Sequence, residues 1–187
     1  MFDAQAQWIW GSGAASPRNE WRCFRRTFLA LESGWDQATI ALAADSRYVL
    51  YINGTFVGRG AARSWPEEQA YDRYEIGHLI RAGKANTIAV LVIHYGVSTF
   101  SYVRGRGGLL VQLQLKAESA FAAQTLCTDG SWRTAVHGGY DKRSQRMSCQ
   151  LGFAERVDAR QWDEGWTQLD YDDASWELCR AIGTAGM

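Results

Sequence analysis

Apolar and polar residues alternate with a period of two along much of this chain. Leu109, Val111, Leu113 and Leu115 alternate with Gln112, Gln114 and Lys116, and Ala38, Ile40, Leu42 and Ala44 share one face of Gln37 to Ala44. Successive side chains of a strand point to opposite faces, so both segments predict strands, the first of them half exposed. Trp21 to Leu29 reads as another strand, following the turn-rich Gly11 to Pro17. Asn86 to Tyr95 is nearly continuous in apolar residues and too β-branched to prefer a helix. It predicts a central strand buried on both faces.

The sharpest local signal is Asp45 to Arg59, which is centred on Asn53-Gly54. A two-residue type I′ turn needs positive φ at both central positions, and Asn-Gly meets that need at low steric cost. The turn sets Ile52 opposite Thr55, Tyr51 opposite Phe56 and Leu50 opposite Val57. Tyr48, Leu50, Ile52 and Val57 then share one face, with Val49, Tyr51 and Phe56 on the other. Apolar residues on both faces predict a hairpin covered on both sides.

Three segments break the alternation. Gly60 to Asp72 reads as a long loop with ordered aromatic content, Tyr74 to Gly83 as one short helical turn closed by glycine, and Gly96 to Gly108 as a second irregular loop. Near the C-terminus, Thr128-Asp-Gly-Ser-Trp132 echoes Asp172-Asp-Ala-Ser-Trp176. Asp and Ser favour a side-chain-closed turn, after which the Trp starts a strand and fills the core. Short strands, long loops and almost no helix predict an all-β fold, an antiparallel two-sheet jelly-roll sandwich. One domain over residues 1–187 is expected, with residues 1–20 an N-terminal extension and 172–187 the start of a following module.

Composition narrows the partners. Twenty basic and twenty acidic residues cancel, which gives no electrostatic reason to expect nucleic acid or an anionic membrane. No stretch approaches the roughly 18 consecutive apolar residues of a membrane span. The N-terminus lacks the basic and apolar regions of a signal peptide, so a cytoplasmic location is expected. Cys23, Cys127, Cys149 and Cys179 are scattered without C-x-x-C spacing and read as free, structural thiols, with no metal site expected.

Nothing in the spacing of Glu67, Glu68, Asp72, Glu75, or of Glu155 and Asp158 in a predicted strand, selects a pair of carboxylates for glycoside hydrolysis. His78, His94 and His137 lie far apart, with no G-x-S-x-G nearby. Arg104-Gly-Arg-Gly-Gly108 opens a strand and not a helix, which excludes a phosphate loop. No catalytic residue is expected. Binding remains: a sugar site needs an aromatic platform beside a few fixed polar groups. Arg63, Trp65, Tyr71 and Asp72 in the first long loop, with Tyr102, Arg104 and Arg106 in the second, supply those types. Arg143 and Arg146 are candidate additions. The alternatives are that these loops dock the rest of a larger enzyme or a second copy in a homo-oligomer.

Three stretches carry a resemblance. Arg47 to Gly58, Tyr71 to Ile76 and Leu79 to Val90 resemble the galactose-binding-like jelly roll that accompanies many glycoside hydrolases. His94 to Leu110, and Val157-Asp-Ala-Arg160, Gly165-Trp166 and Tyr171 to Trp176, resemble the N-terminal region of bacterial α-L-rhamnosidases. The resemblance covers about Trp8 to Trp176. It implies a non-catalytic accessory module, excised from a larger enzyme or standing alone. Catalysis in that family resides in a helical toroid further along the chain, so its catalytic residues have no counterparts here. The partners it implies are carbohydrate or the remainder of a glycoside hydrolase. No cofactor is expected, although many galactose-binding-like domains hold a structural calcium. Asp172 and Asp173 are candidate ligands for one, and turn capping explains them equally well.

Overall fold

The computed structural model of the chain describes residues 2–117, 122–161 and 164–184. Its strands in chain order are β1 (Gln7–Trp10), β2 (Glu20–Leu29), β3 (Gln37–Asp45), β4 (Arg47–Ile52), β5 (Thr55–Gly60), β6 (Asp72–Glu75), β7 (Ala85–His94), β8 (Gly108–Lys116), β9 (Ala122–Cys127), β10 (Arg133–Val136), β11 (Glu177–Leu178) and β12 (Arg180–Thr184). All strand pairs are antiparallel and they form two sheets. The first runs β12-β1-β8-β3-β6 and the second β11-β10-β2-β7-β4-β5, with β9 added to β8. One edge of β8 is taken by β3; the other is divided between β1 at Leu109 and β9 from Gln112 to Lys116. This is the expected two-sheet sandwich.

Alternation fills the space between the sheets. Ile40, Leu42, Val111 and Leu113 of the first sheet meet Phe24, Leu50, Ile88 and Val90 of the second, all fully buried. The outer face of the second sheet is covered as well. Trp21, Cys23, Ala89 and Leu91 pack there against Trp166, with Tyr140, Tyr171 and Trp176 around them. The Trp21 and Tyr140 rings stack 3.8 Å apart. β7 is therefore buried on both faces, as its unbroken apolar run requires.

The covering segment is anchored by a buried charge. Arg25, 1% exposed, pairs with Asp173 at 3.0 Å and donates to the carbonyl oxygens of Trp166 and Gln168. The two Asp-x-Ser-Trp turns share one backbone bond: Trp132 N–H donates to Asp129 O, and Trp176 N–H to Asp173 O. Each turn leads into a strand, and those strands, β10 and β11, pair with each other.

Several expectations change. Asn53 and Gly54 do have positive φ, 50° and 79°, and Ile52 faces Thr55 and Tyr51 faces Phe56. A bulge between Leu50 and Tyr51 then places Leu50 opposite Gly58, not Val57. The expected helical turn over 74–83 divides. Residues 72–75 form β6, with Tyr74 opposite Ile40, and only Gly77–Leu79 is a 3-10 turn. Gln112 is buried, with its Oε1 accepting the Asp3 N–H, so β8 is less exposed than its alternation implies. Residues 7–10 and 180–184 belong neither to an extension nor to a following module. β1 and β12 pair with each other inside the first sheet, and β11 pairs with β10 in the second; residues 185–187 lie outside the described residues. Glu155 and Asp158 lie in irregular chain between Phe153 and a 3-10 turn at Ala159–Gln161, not in a strand.

Candidate functional site

The two long loops leave β5 and β7 and meet at one end of the sandwich. Residues 61–64 and Gln69 of the first face Tyr95 and residues 101–103 of the second across a cleft of about 20 Å³. Such a space holds a water molecule or two and no sugar ring.

Behind the cleft runs a hydrogen-bonded relay. His94 Nδ1 lies 2.7 Å from Asp45 Oδ1, and Ser16 Oγ lies 3.0 Å from His94 Nε2. Tyr102 Oη donates to the same Asp45 oxygen at 2.6 Å, and Arg104 Nε donates to Ser16 Oγ at 3.2 Å. Burial first, and the bond to Asp45 second, push the Tyr102 phenol well above its ordinary pKa, which keeps it a donor. Serine, histidine and aspartate at these distances have the order of a nucleophilic triad. Here the imidazole is wholly buried, and Ser16 lines neither the cleft nor the groove described next. The relay clamps the second loop to the ends of β3 and β7.

A groove of about 1200 Å³ lies on the outer face of the first sheet. It is lined by residues 2–4, by 66–69 with Tyr71, and by Trp8, Leu110 and Ile182 of the sheet. The Trp8 indole occupies the space that a Cβ at Gly108 would need, 2.9 Å from its Cε3. Glycine at 108 therefore lets the ring lie against the strand. Phe2 meets Tyr71 edge to face at 5.3 Å, closing one end. Asp3, Glu67, Glu68 and Arg106 supply charge along the rim. This combination of aromatic surface, carboxylates and amide suits a polyhydroxylated ligand, since carboxylates accept hydroxyl protons and rings pack on C–H faces.

The seven residues expected to form one site are divided. Tyr71 and Arg106 line the groove, and Arg63 and Tyr102 line the cleft. Trp65, 62% exposed, and Arg104 line neither. Asp72 Oδ2 accepts the Tyr48 hydroxyl at 2.5 Å, and Tyr48 also lies 2.9 Å from the Tyr74 hydroxyl. Arg146 joins the second loop by donating to Ser98 O at 3.0 Å, whereas Arg143 pairs with Asp141 beside a separate cavity of about 510 Å³. Trp8 and Asp3 were not candidates, because the N-terminal segment reads as an extension. The available signal was Trp8-x-Trp10 set against Gly107-Gly108, since Gly107 makes room for Trp10 as Gly108 does for Trp8.

The two calcium candidates do not form an oxygen cage. Both Asp173 oxygens face guanidinium groups, Arg25 at 3.0 Å and Arg133 at 3.5 Å, and Asp172 Oδ1 accepts the Ala174 N–H at 2.9 Å. Asp172 caps a turn and Asp173 is neutralised by arginine, a poor setting for a dication.

The fold has counterparts in known proteins. Residues 34–185 match the family of alpha-L-rhamnosidase N-terminal domains. An alpha-L-rhamnosidase of Streptomyces avermitilis is 26% identical over 91% of this chain, which spans 17% of that relative. The solved GH78 family rhamnosidase of Bacillus sp. GL1 is 51% identical and superposes with a TM-score of 0.91. The match covers 98% of this chain and 19% of that one. A lectin from Pleurotus ostreatus shares the fold, at 23% identity and a TM-score of 0.61 over 97% of this chain and 44% of the lectin. The chain belongs to the alpha-L-rhamnosidase N-terminal domain family.

Proposed function

We propose that this domain is a non-catalytic accessory module of an α-L-rhamnosidase-type glycoside hydrolase, and that it contacts carbohydrate in the groove on its first sheet. The observation that carries the reading is the Trp8 floor flanked by Tyr71, Glu67, Glu68 and Arg106. Its volume of about 1200 Å³ suits more than one sugar ring. The fold's occurrence in a Pleurotus ostreatus lectin solved with GalNAc is compatible with that use. The test is calorimetric titration of the protein with L-rhamnose and rhamnose- or galactose-containing oligosaccharides, beside an assay on an aryl α-L-rhamnoside. Saturable sugar binding without turnover supports the reading; turnover by this chain, or no binding at millimolar sugar, opposes it.

A docking role has its own observation. Phe100, Met147 and Leu151 are 69%, 67% and 52% exposed at the loop end. Phe100 N–H bonds Gln150 O and Met147 N–H bonds Gly152 O, so the three sit on mutually braced loops. An ordered apolar tip of this kind suits contact with the remainder of a larger hydrolase. Polar substitution of Phe100 and Leu151 in an intact enzyme should lower its melting temperature under this second reading and leave sugar affinity unchanged.

A further inference from the structure

The groove carries a charge imbalance that bears on which glycans enter it. Asp3, Asp45, Glu67 and Glu68 line it, and Arg106 is the one cation among the described lining residues. Asp45 is buried and engaged by His94 and Tyr102, but Asp3, Glu67 and Glu68 are exposed. Asp3 is fixed, because its backbone N–H donates to the buried Gln112. A ligand lying on Trp8 therefore shares the groove with several carboxylates.

We infer that the groove selects neutral glycan chains and rejects those bearing uronic acids, with Glu67 and Glu68 as the residues that set this preference. The inference rests on the reading that the groove takes carbohydrate. A neutral chain offers hydroxyl donors to the carboxylates and C–H faces to Trp8 and Tyr71. A uronate brings a negative charge within a few ångströms of two or three others, with Arg106 as its sole lining counter-charge. Unit charges 4 Å apart interact by about 1 kcal/mol even at the dielectric of water, so two such neighbours, partly offset by Arg106, weaken binding by about tenfold. The effect fades in salt, because the screening length shrinks from about 10 Å at 0.1 M to about 3 Å at 1 M.

The test uses one sugar chain in two forms, a rhamnogalacturonan oligosaccharide and its carboxyl-reduced counterpart, in which each galacturonate has become galactose. At low salt the reduced chain should bind about tenfold more tightly, and the gap should shrink severalfold in about 1 M salt. Glu67→Gln with Glu68→Gln, both on the surface, should narrow the gap at low salt mainly by improving the acidic chain. Trp8→Ala and the milder surface change Tyr71→Ala should each weaken both forms. If the acidic chain binds as well as the reduced one, or the double glutamine variant leaves the gap intact, the selectivity is wrong while carbohydrate binding stands. If neither form binds, the groove is not a sugar site and the inference falls with it.

Discussion

His94 Nδ1 and Asp45 Oδ1 lie 2.7 Å apart although 49 residues separate them in the chain. A carboxylate only accepts, so Nδ1 carries the proton, and the far ring nitrogen faces Ser16 Oγ at 3.0 Å. Asp45 ends β3, His94 ends β7, and Tyr102 joins them from the second loop. The pair thus ties the two sheets together where the second long loop begins.

Asp45→Ala leaves the His94 N–H and the Tyr102 hydroxyl without an acceptor in a buried setting. We predict a loss of about 3 kcal/mol in urea denaturation, against about 1–2 kcal/mol for Tyr102→Phe, which removes the bond to Asp45 and the one accepted from the Gly105 N–H but keeps the ring. Equal costs for the two variants would contradict the relay.

Arg25→Met should cost about 3–5 kcal/mol, because it strips a buried partner from Asp173 and from the carbonyls of Trp166 and Gln168. Limited proteolysis of the variant should cut first between residues 164 and 176, since Arg25 ties the Trp166 and Gln168 carbonyls and the Asp173 carboxylate of that covering segment to the second sheet. Unchanged stability and cleavage would show the aromatic packing of Trp166 and Trp176 to be sufficient.

Much of this architecture was legible in the chain. β3, β7 and β8 follow from alternation or from an unbroken apolar run, and the Asn53-Gly54 turn is dictated by backbone stereochemistry. β6 was hidden because four residues beside a Gly-His-Leu turn carry too short a pattern to separate from it. The Leu50 bulge was invisible because register beyond a turn depends on what packs above it, here the Tyr74 ring occupying the space over Gly58. The aromatic loop residues were recognisable as surface features. Their division between cleft and groove was not, since it depends on a four-residue N-terminal strand and on partners such as Ser16, Asp45 and His94 that no local spacing connects.

Acid should loosen the β11 edge. Burial raises the Glu177 pKa, but the bonds from Ser12 and Arg22 together outweigh it and hold the carboxyl below its ordinary 4.5. A group depressed in the folded state stabilises above its unfolded pKa, and that contribution is lost as pH falls through the folded value. Wild-type stability should therefore decline below about pH 4.5 more steeply than that of Glu177→Gln in matched denaturation series. Parallel curves would exclude the contribution.

Thiol reactivity should be confined to one position. Burial pushes the Cys127 thiol up to about 11 and the Cys179 thiol up to about 12, and Cys23 is raised further by the same cause. Cys149 is exposed. A chromogenic disulfide reagent at pH 8 should titrate one thiol rapidly in the folded protein and all four in denaturant, with Cys149→Ser abolishing the fast phase. A second fast thiol would contradict the burial of Cys23 and Cys179 and the partial burial of Cys127.

The most direct test of the account follows backbone and indole N–H resonances by two-dimensional NMR during titration with a neutral rhamnose-containing oligosaccharide. The account predicts saturable shifts of the Trp8 indole and of residues around Tyr71, Arg106 and Leu110, with no sugar cleaved. Shifts confined to other surfaces, or a spectrum unmoved by sugar, would contradict it.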